Sequence, residues 1–243
     1  MQNDRKRYHL LDFLRGICII LVVGYHALYD ISVVFGQRLP FFGTDGMEVF
    51  RVSFVGVLVL LSGISCSLSR SNLKRGIKTL LCGLLISAVT LIFMPSERIL
   101  FGVLHFFGVA MILFAPLKGV VEKIPAFLGA GISLMLFLLT YHIYSYADFE
   151  FPRSFLLFIL GFYTGFYSAD YYPLIPWFFL FLTGGFLGRF FADGRVPRFF
   201  EANPIKPLAF IGRHTLFIYL IHQPILYGFF FVWFEVIMKQ SAA

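Results

Sequence analysis

The stretch Leu10–Phe35, LLDFLRGICIILVVGYHALYDISVVF, decides the fold class, because its apolar centre can cross a bilayer while still holding ionisable side chains. About 20 apolar residues in a helix span the ~30 Å of hydrocarbon. Arg15 and His26 both lie within it. At about 100° and 1.5 Å per residue, they project within roughly 20° of one face, about 16 Å apart along the axis. An ionisable residue inside a bilayer costs on the order of 3 kcal/mol and needs a partner, so two on one stripe point to use. Asp30 follows His26 by one turn on nearly the same face and can hold the imidazole in one tautomer. The alternative for His26 is a packing histidine satisfied by a carbonyl or hydroxyl. For Arg15 it is an interfacial ion pair with Asp12, three residues earlier.

The whole chain shares this character. It has 243 residues, 59% hydrophobic and 14% charged, with a mean hydropathy of +0.83. A soluble domain of that length cannot hide so much apolar surface, so the sequence describes an all-α polytopic integral membrane protein in a lipid bilayer. Thirty-three Phe and twelve Tyr suit lipid-facing surfaces and interfacial belts. The net charge of +7 falls in short loops between apolar runs, which is a topology signal and not a nucleic-acid footprint. Cys18, Cys66 and Cys82 lie in apolar segments without paired spacing and read as small buried hydrophobes. The first apolar run is too long for a signal-peptide core and lacks a small-residue cleavage site, so it is expected to be retained as the first membrane helix. There is no GxSxG, P-loop, HExxH, CxxC or GxGxxG, which argues against lipase, ATPase, metalloprotease and dinucleotide roles. The histidines show no i,i+4 pairing, and no metal is expected.

Eight apolar segments cover 10–35, 49–69, 77–94, 99–117, 124–142, 154–168, 173–192 and 208–236, joined by short loops into one domain over 1–243. Gly161-x3-Gly165 and Gly184-x3-Gly188 would let helices approach closely. Arg5, Lys6 and Arg7 put the N-terminus in the cytoplasm, as do Arg70, Lys74, Arg75 and Lys78 for the second loop and Lys118 and Lys123 for the fourth. Eight crossings would strand Arg189, Arg195, Arg198 and Lys206 outside, against that rule. Segment 154–168 has about 15 residues, short of the ~20 a crossing needs. Seven crossings plus one re-entrant or partial segment are therefore preferred over eight.

Other candidates lie along the chain. The cluster Arg70–Lys78, RSNLKRGIK, fits the positive-inside rule, and Arg70, Lys74 and Arg75 also suit a phosphorylated donor such as coenzyme A. His105, in GVLHFFG, stands at bilayer depth between Gly102 and Gly108, and function and packing are both open. His222, in YLIHQPIL, precedes Pro224, which frees a carbonyl one turn earlier that His222 and Gln223 could satisfy. The stretch DYYPLIPW, from Asp170 to Trp177, could bind a sugar by stacking and hydrogen bonding, or form an interfacial belt at a helix start.

The opening helix LLDFLRGICIILVVGYHALYD resembles that of bacterial proteins related to the catalytic domain of heparan-α-glucosaminide N-acetyltransferase. The resemblance continues in order through LLSGISCSLSRSNLKRG, FGVLHFFG, SADYYPLIPW and GRHTLFIYLIHQP, nearly the whole chain. DFLRG with Arg15-x10-His26 is also similar to membrane families that O-acylate surface glycans. The resemblance implies that Arg15 serves the coenzyme A side and His26 the transfer step. It further implies a cytosolic acyl-CoA donor, acetyl-CoA first among them, and an acceptor across the membrane. The lysosomal enzyme has a loop histidine between its first two conserved helices, whereas this chain has none between His26 and His105. Direct transfer with His26 as general base is therefore expected.

The expected function is thus a bacterial inner-membrane acyltransferase, N- or O-acetylating a sugar or envelope component. His26 is the base, Asp30 its orienting group, and Arg15 with Arg70, Lys74 and Arg75 holds the donor's phosphates. His105 stands as a further catalytic candidate, and Asp170, Trp177 and His222 as acceptor contacts. A homodimer is left open. The rival is a proton-coupled transporter or flippase using His26, Asp30 and His105, although no internal symmetry of the kind transporters show is evident. A scaffold without activity would leave the intramembrane charges without a purpose.

Overall fold

The computed structural model describes residues 8–146, 152–162, 165–202 and 205–238, so Arg5, Lys6 and Arg7 lie outside the described residues. Among the described residues the regular structure is helical: α1 His9–Tyr29, α2 Asp45–Leu68, α3 Asn72–Phe93, α4 Val103–Lys123, α5 Ala126–Tyr146, α6 Phe155–Leu160, α7 Leu174–Ala192, α8 Lys206–Arg213 and α9 Thr215–Phe231. Wider π-helical turns continue α1 over Asp30–Val34 and α9 over Val232–Met238. Six of these helices are long and apolar enough to cross a membrane: α1, α2, α3, α4, α7 and α9. A further apolar stretch, Ala126–Tyr141 of α5, is shorter.

One of the expected segments is short and another is divided. Among its described residues, segment 154–168 holds only α6, six residues or roughly 9 Å of helix, which Gly161 ends at φ +112°. Gly161 and Gly165 are thus turn glycines at positive φ and not a helix-packing pair. Segment 208–236 is interrupted at His214, which separates α8 from α9.

The chain forms two compact units, Met1–Leu58 with Pro197–Ala243, and Val59–Val196, and the division falls within α2. In the first unit, α1 and the α8–α9 pair run parallel, shown by contacts whose residue numbers rise together. A Cβ on Gly16 would collide with the Leu208 carbonyl oxygen, and one on Gly212 with that of Asp12. Further along, His26 and Asp30 meet Gln223, and Phe35 then meets Tyr227 and Phe234, at ring separations of 5.7 and 5.4 Å. Backbones that close need glycine on both sides.

In the second unit α3 packs on α4 and α5 on α7. Gly184 and Gly188 do form the expected close approach, against Leu60 and Ile64 of α2. Phe106, Phe114 and Phe181 are fully enclosed and centre the core. Helix C-termini present carbonyls with no helical partner, and two cations answer them. Lys118 donates to the Ser67 and Ser69 carbonyls at 2.9 Å each, and Arg189 to those of Val121 (3.0 Å) and Ile124. A cavity of about 240 Å³ lies beside them, lined by Ser67, Glu122 and Asp193 as well. Its cations are already engaged and its carboxylates are of opposite sign, so it is not a phosphate pocket.

Candidate functional site

The strongest polar constellation of the first unit forms where α1 widens into its π-helical turn. The added residue in a wider turn shifts side chains off the α-helical stripe, and Asp30, the first residue of that turn, is fully buried. Gln223 of α9 reaches across to it. The amide Nε2–H donates to Asp30 Oδ1 at 2.6 Å, while Oε1 lies 3.1 Å from His26 Nδ1. The link from Asp30 to His26 thus includes an amide from a second helix, where the sequence suggested a direct one-turn contact.

Rings frame His26. His222 stands edge-on to it, with centroids 4.8 Å apart and planes at 89°, and its Nδ1–H donates to the Tyr219 carbonyl at 2.7 Å. The expected sharing of the carbonyl freed by Pro224 is therefore not how Gln223 is used. Tyr25 packs on Phe42 and Phe54. Arg51 donates to Glu48 at 2.9 and 2.5 Å. Neither Gln223 nor Arg51 carries a sequence signal that marks it. Arg15 donates to Asp12 at 2.8 Å, so the interfacial ion pair left open by the sequence is formed.

The other candidates belong to the second unit. His105 accepts from the Gly102 N–H on Nδ1 (3.2 Å), and its Nε2 lies 3.0 Å from Ser87 Oγ. The Ser87 hydroxyl hydrogen goes to the Ile99 carbonyl at 2.6 Å, so His105 Nε2 is the donor. Both ring nitrogens are engaged in holding the start of α4. Asp170 works at the same place, accepting from the Val103 N–H at 2.9 Å, as an anion at a helix N-terminus should. In these contacts His105 and Asp170 serve the backbone at the start of α4. Trp177 is buried among Tyr172, Phe137 and Tyr141, with centroids 5.2 to 6.2 Å away. Arg70, Lys74 and Arg75 are exposed at the start of α3.

Apolar helices long enough to span a bilayer, one of them with a half-buried histidine linked to a buried carboxylate, define an integral membrane protein with a polar centre suited to proton transfer. The family model for heparan-alpha-glucosaminide N-acetyltransferase, catalytic, matches residues 7–224, and the chain belongs to that family. Membership points to acetyltransferase-like chemistry at a membrane. No curated protein and no solved structure matches the chain.

Proposed function

We propose that the protein is a membrane acyltransferase moving an acyl group, acetyl by family, from cytosolic acyl-CoA to an amine or hydroxyl of a sugar or envelope acceptor. The observation that carries this reading is His26, set in a membrane-spanning helix and hydrogen-bonded through Gln223 to the buried Asp30. His26 takes the proton from the acceptor N–H or O–H as that atom attacks the thioester carbonyl carbon. The C–S bond then breaks, and the proton passes from the imidazolium to the departing thiolate. Acyl-CoA and acceptor become acylated acceptor and free coenzyme A. The half-buried Tyr25 and the neighbouring Tyr219 and His222 flank the acceptor.

Arg15 faces the donor side, as the family motif implies, and the exposed Arg70, Lys74 and Arg75 attract the donor's phosphates. The family match runs through both units, which supports one functional domain over 1–243. The parallel course of α1 and α8–α9 supports seven crossings over eight, because two parallel helices cross in the same direction and α9 must then have an odd ordinal. With α1, α2, α3, α4, α5, α7 and α9 crossing and α6 partial, the N-terminus and the loop from Arg189 to Lys206 share the cytoplasmic side of a bacterial inner membrane. A transporter reading would need His105 to take up and release protons, and both its ring nitrogens are committed.

The test uses purified protein in liposomes, labelled acetyl-CoA and an envelope-glycan extract. His26→Ala is expected to insert and bind donor yet transfer no label. Turnover near wild type in that variant would refute His26 as the base.

A further inference from the structure

A base must present a lone pair to its substrate, and a neutral imidazole has one on only one of its two nitrogens. Which nitrogen keeps it is set by the hydrogen bond that the other makes. At His26 that bond is made by a primary amide, which on its own accepts at one end and donates at the other without preference. Its orientation is fixed from its far side. A carboxylate only accepts, so the Gln223 amide turns its Nε2–H toward Asp30 Oδ1, at 2.6 Å. The carbonyl Oε1 is then the atom that faces His26 Nδ1, at 3.1 Å. A carbonyl oxygen cannot donate, so Nδ1 must carry the hydrogen.

We propose that Gln223 is a positioning residue that holds His26 with its hydrogen on Nδ1 and its lone pair on Nε2. It transmits the direction of Asp30 without setting the carboxylate charge against the ring. The proposal rests on His26 being the base. It adds a residue from the last membrane helix, 197 positions away in sequence, and specifies which nitrogen acts. The second unit supplies a contrast: His105 has the opposite arrangement, with its lone pair on Nδ1 turned to a backbone N–H. Side-chain chemistry singles out glutamine. Asparagine is one methylene too short to reach both partners, and leucine fills the space with no polar atom. Glutamate can accept from Nδ1 but repels Asp30.

Nitrogen-15 NMR of histidine-labelled, full-length protein in liposomes reads the tautomer directly, with the His26 signals assigned by their loss in His26→Ala. Wild-type His26 is expected to be protonated on Nδ1 and bare on Nε2. In Gln223→Leu the hydrogen should move to Nε2, the position histidine favours without a partner, whereas Gln223→Glu should keep it on Nδ1. Turnover should follow the tautomer: kcat for Gln223→Leu falls about 100-fold with the KM for acetyl-CoA unchanged, and Gln223→Glu retains more activity than Gln223→Leu.

A hydrogen on Nε2 in the wild type would overturn the proposal, since the amide would then be reversed and Asp30 would hold a proton. An unchanged tautomer and kcat in Gln223→Leu would overturn it as well. Should the leucine variant fail to fold, the wild-type spectrum alone decides. An active His26→Ala with the expected spectra would remove His26 as the base. An inactive His26→Ala with the wrong tautomer would remove only Gln223.

Discussion

Gly212→Ala tests whether the contact of α1 with α8 sets the spacing at His26. A Cβ on Gly212 would press on the Asp12 carbonyl oxygen and stand 2.8 Å from the Gly16 nitrogen. Ordinary contact begins near ~3.4 Å, so the Gly16 nitrogen alone requires the helices to separate by about 0.6 Å, and the nearer Asp12 carbonyl oxygen requires more. Both obstructing groups are backbone, and no side chain can rotate away. His214 alone joins α8 to α9, so the shift carries on toward Gln223. The 3.1 Å separation of His26 and Gln223 then becomes roughly 3.7 Å or more, too long for a hydrogen bond. Overpacking of this kind costs about 1–3 kcal/mol, and misplacement approaching 1 Å lowers turnover on the order of 100-fold. Labelled acetyl transfer in liposomes and thermal unfolding in detergent measure the two effects. Gly228→Ala, where a Cβ meets nothing within 4 Å, is the control and should change neither. Wild-type turnover and melting temperature in Gly212→Ala would refute the idea that this crossing sets the His26–Gln223 distance.

Donor affinity should weaken several-fold between 0.1 and 1 M salt, as the Debye length contracts from about 10 to 3 Å. It should also weaken in Arg70→Ala or Arg75→Ala; a calorimetric Kd indifferent to both would reduce the cluster to a topology signal. In a background lacking Cys18, Cys66 and Cys82, a cysteine replacing the exposed Tyr167 should react with an impermeant maleimide in intact cells. One replacing Ala192 should react only after lysis, and the reverse pattern would mean eight crossings.

The elements legible in the sequence were those whose cause is local. A run of apolar residues makes a membrane helix wherever it stands, and the 15-residue segment with two glycines announces a helix as short as α6. The ion pair of Asp12 with Arg15 was also within reach, since three residues on a helix bring side chains together. Gln223 was not. Its partners lie on a helix at the opposite end of the chain, and the close approach of Gly16 and Gly212 between the two helices is encoded in no one-dimensional pattern. The histidines show the same limit from the other side. His26 and His105 look alike as lone histidines in apolar runs, yet His105 begins a helix and is used by the backbone N–H there. The start of α4 falls at Val103, a few residues into the apolar run that begins at 99, and that offset hides the cap. An aromatic after proline suits an interface and a core equally well, and Trp177 is buried.

The amide between Asp30 and His26 bears on how such a centre works in a low-dielectric setting. A carboxylate in direct contact with an imidazole would favour the protonated ring strongly there, since opposite charges attract more as the dielectric falls. A base must gain a proton from the acceptor and lose it to the leaving thiolate in each cycle, and an ion pair that is too stable would stop at the first half. Moving the carboxylate one amide away keeps the orientation and weakens the attraction. An amide between the charges therefore fits a residue that must pass its proton on, and Gln223→Glu separates the two demands. It should keep the tautomer while making the proton harder to release, so its loss should appear in the rate of thiol release and not in proton removal from the acceptor.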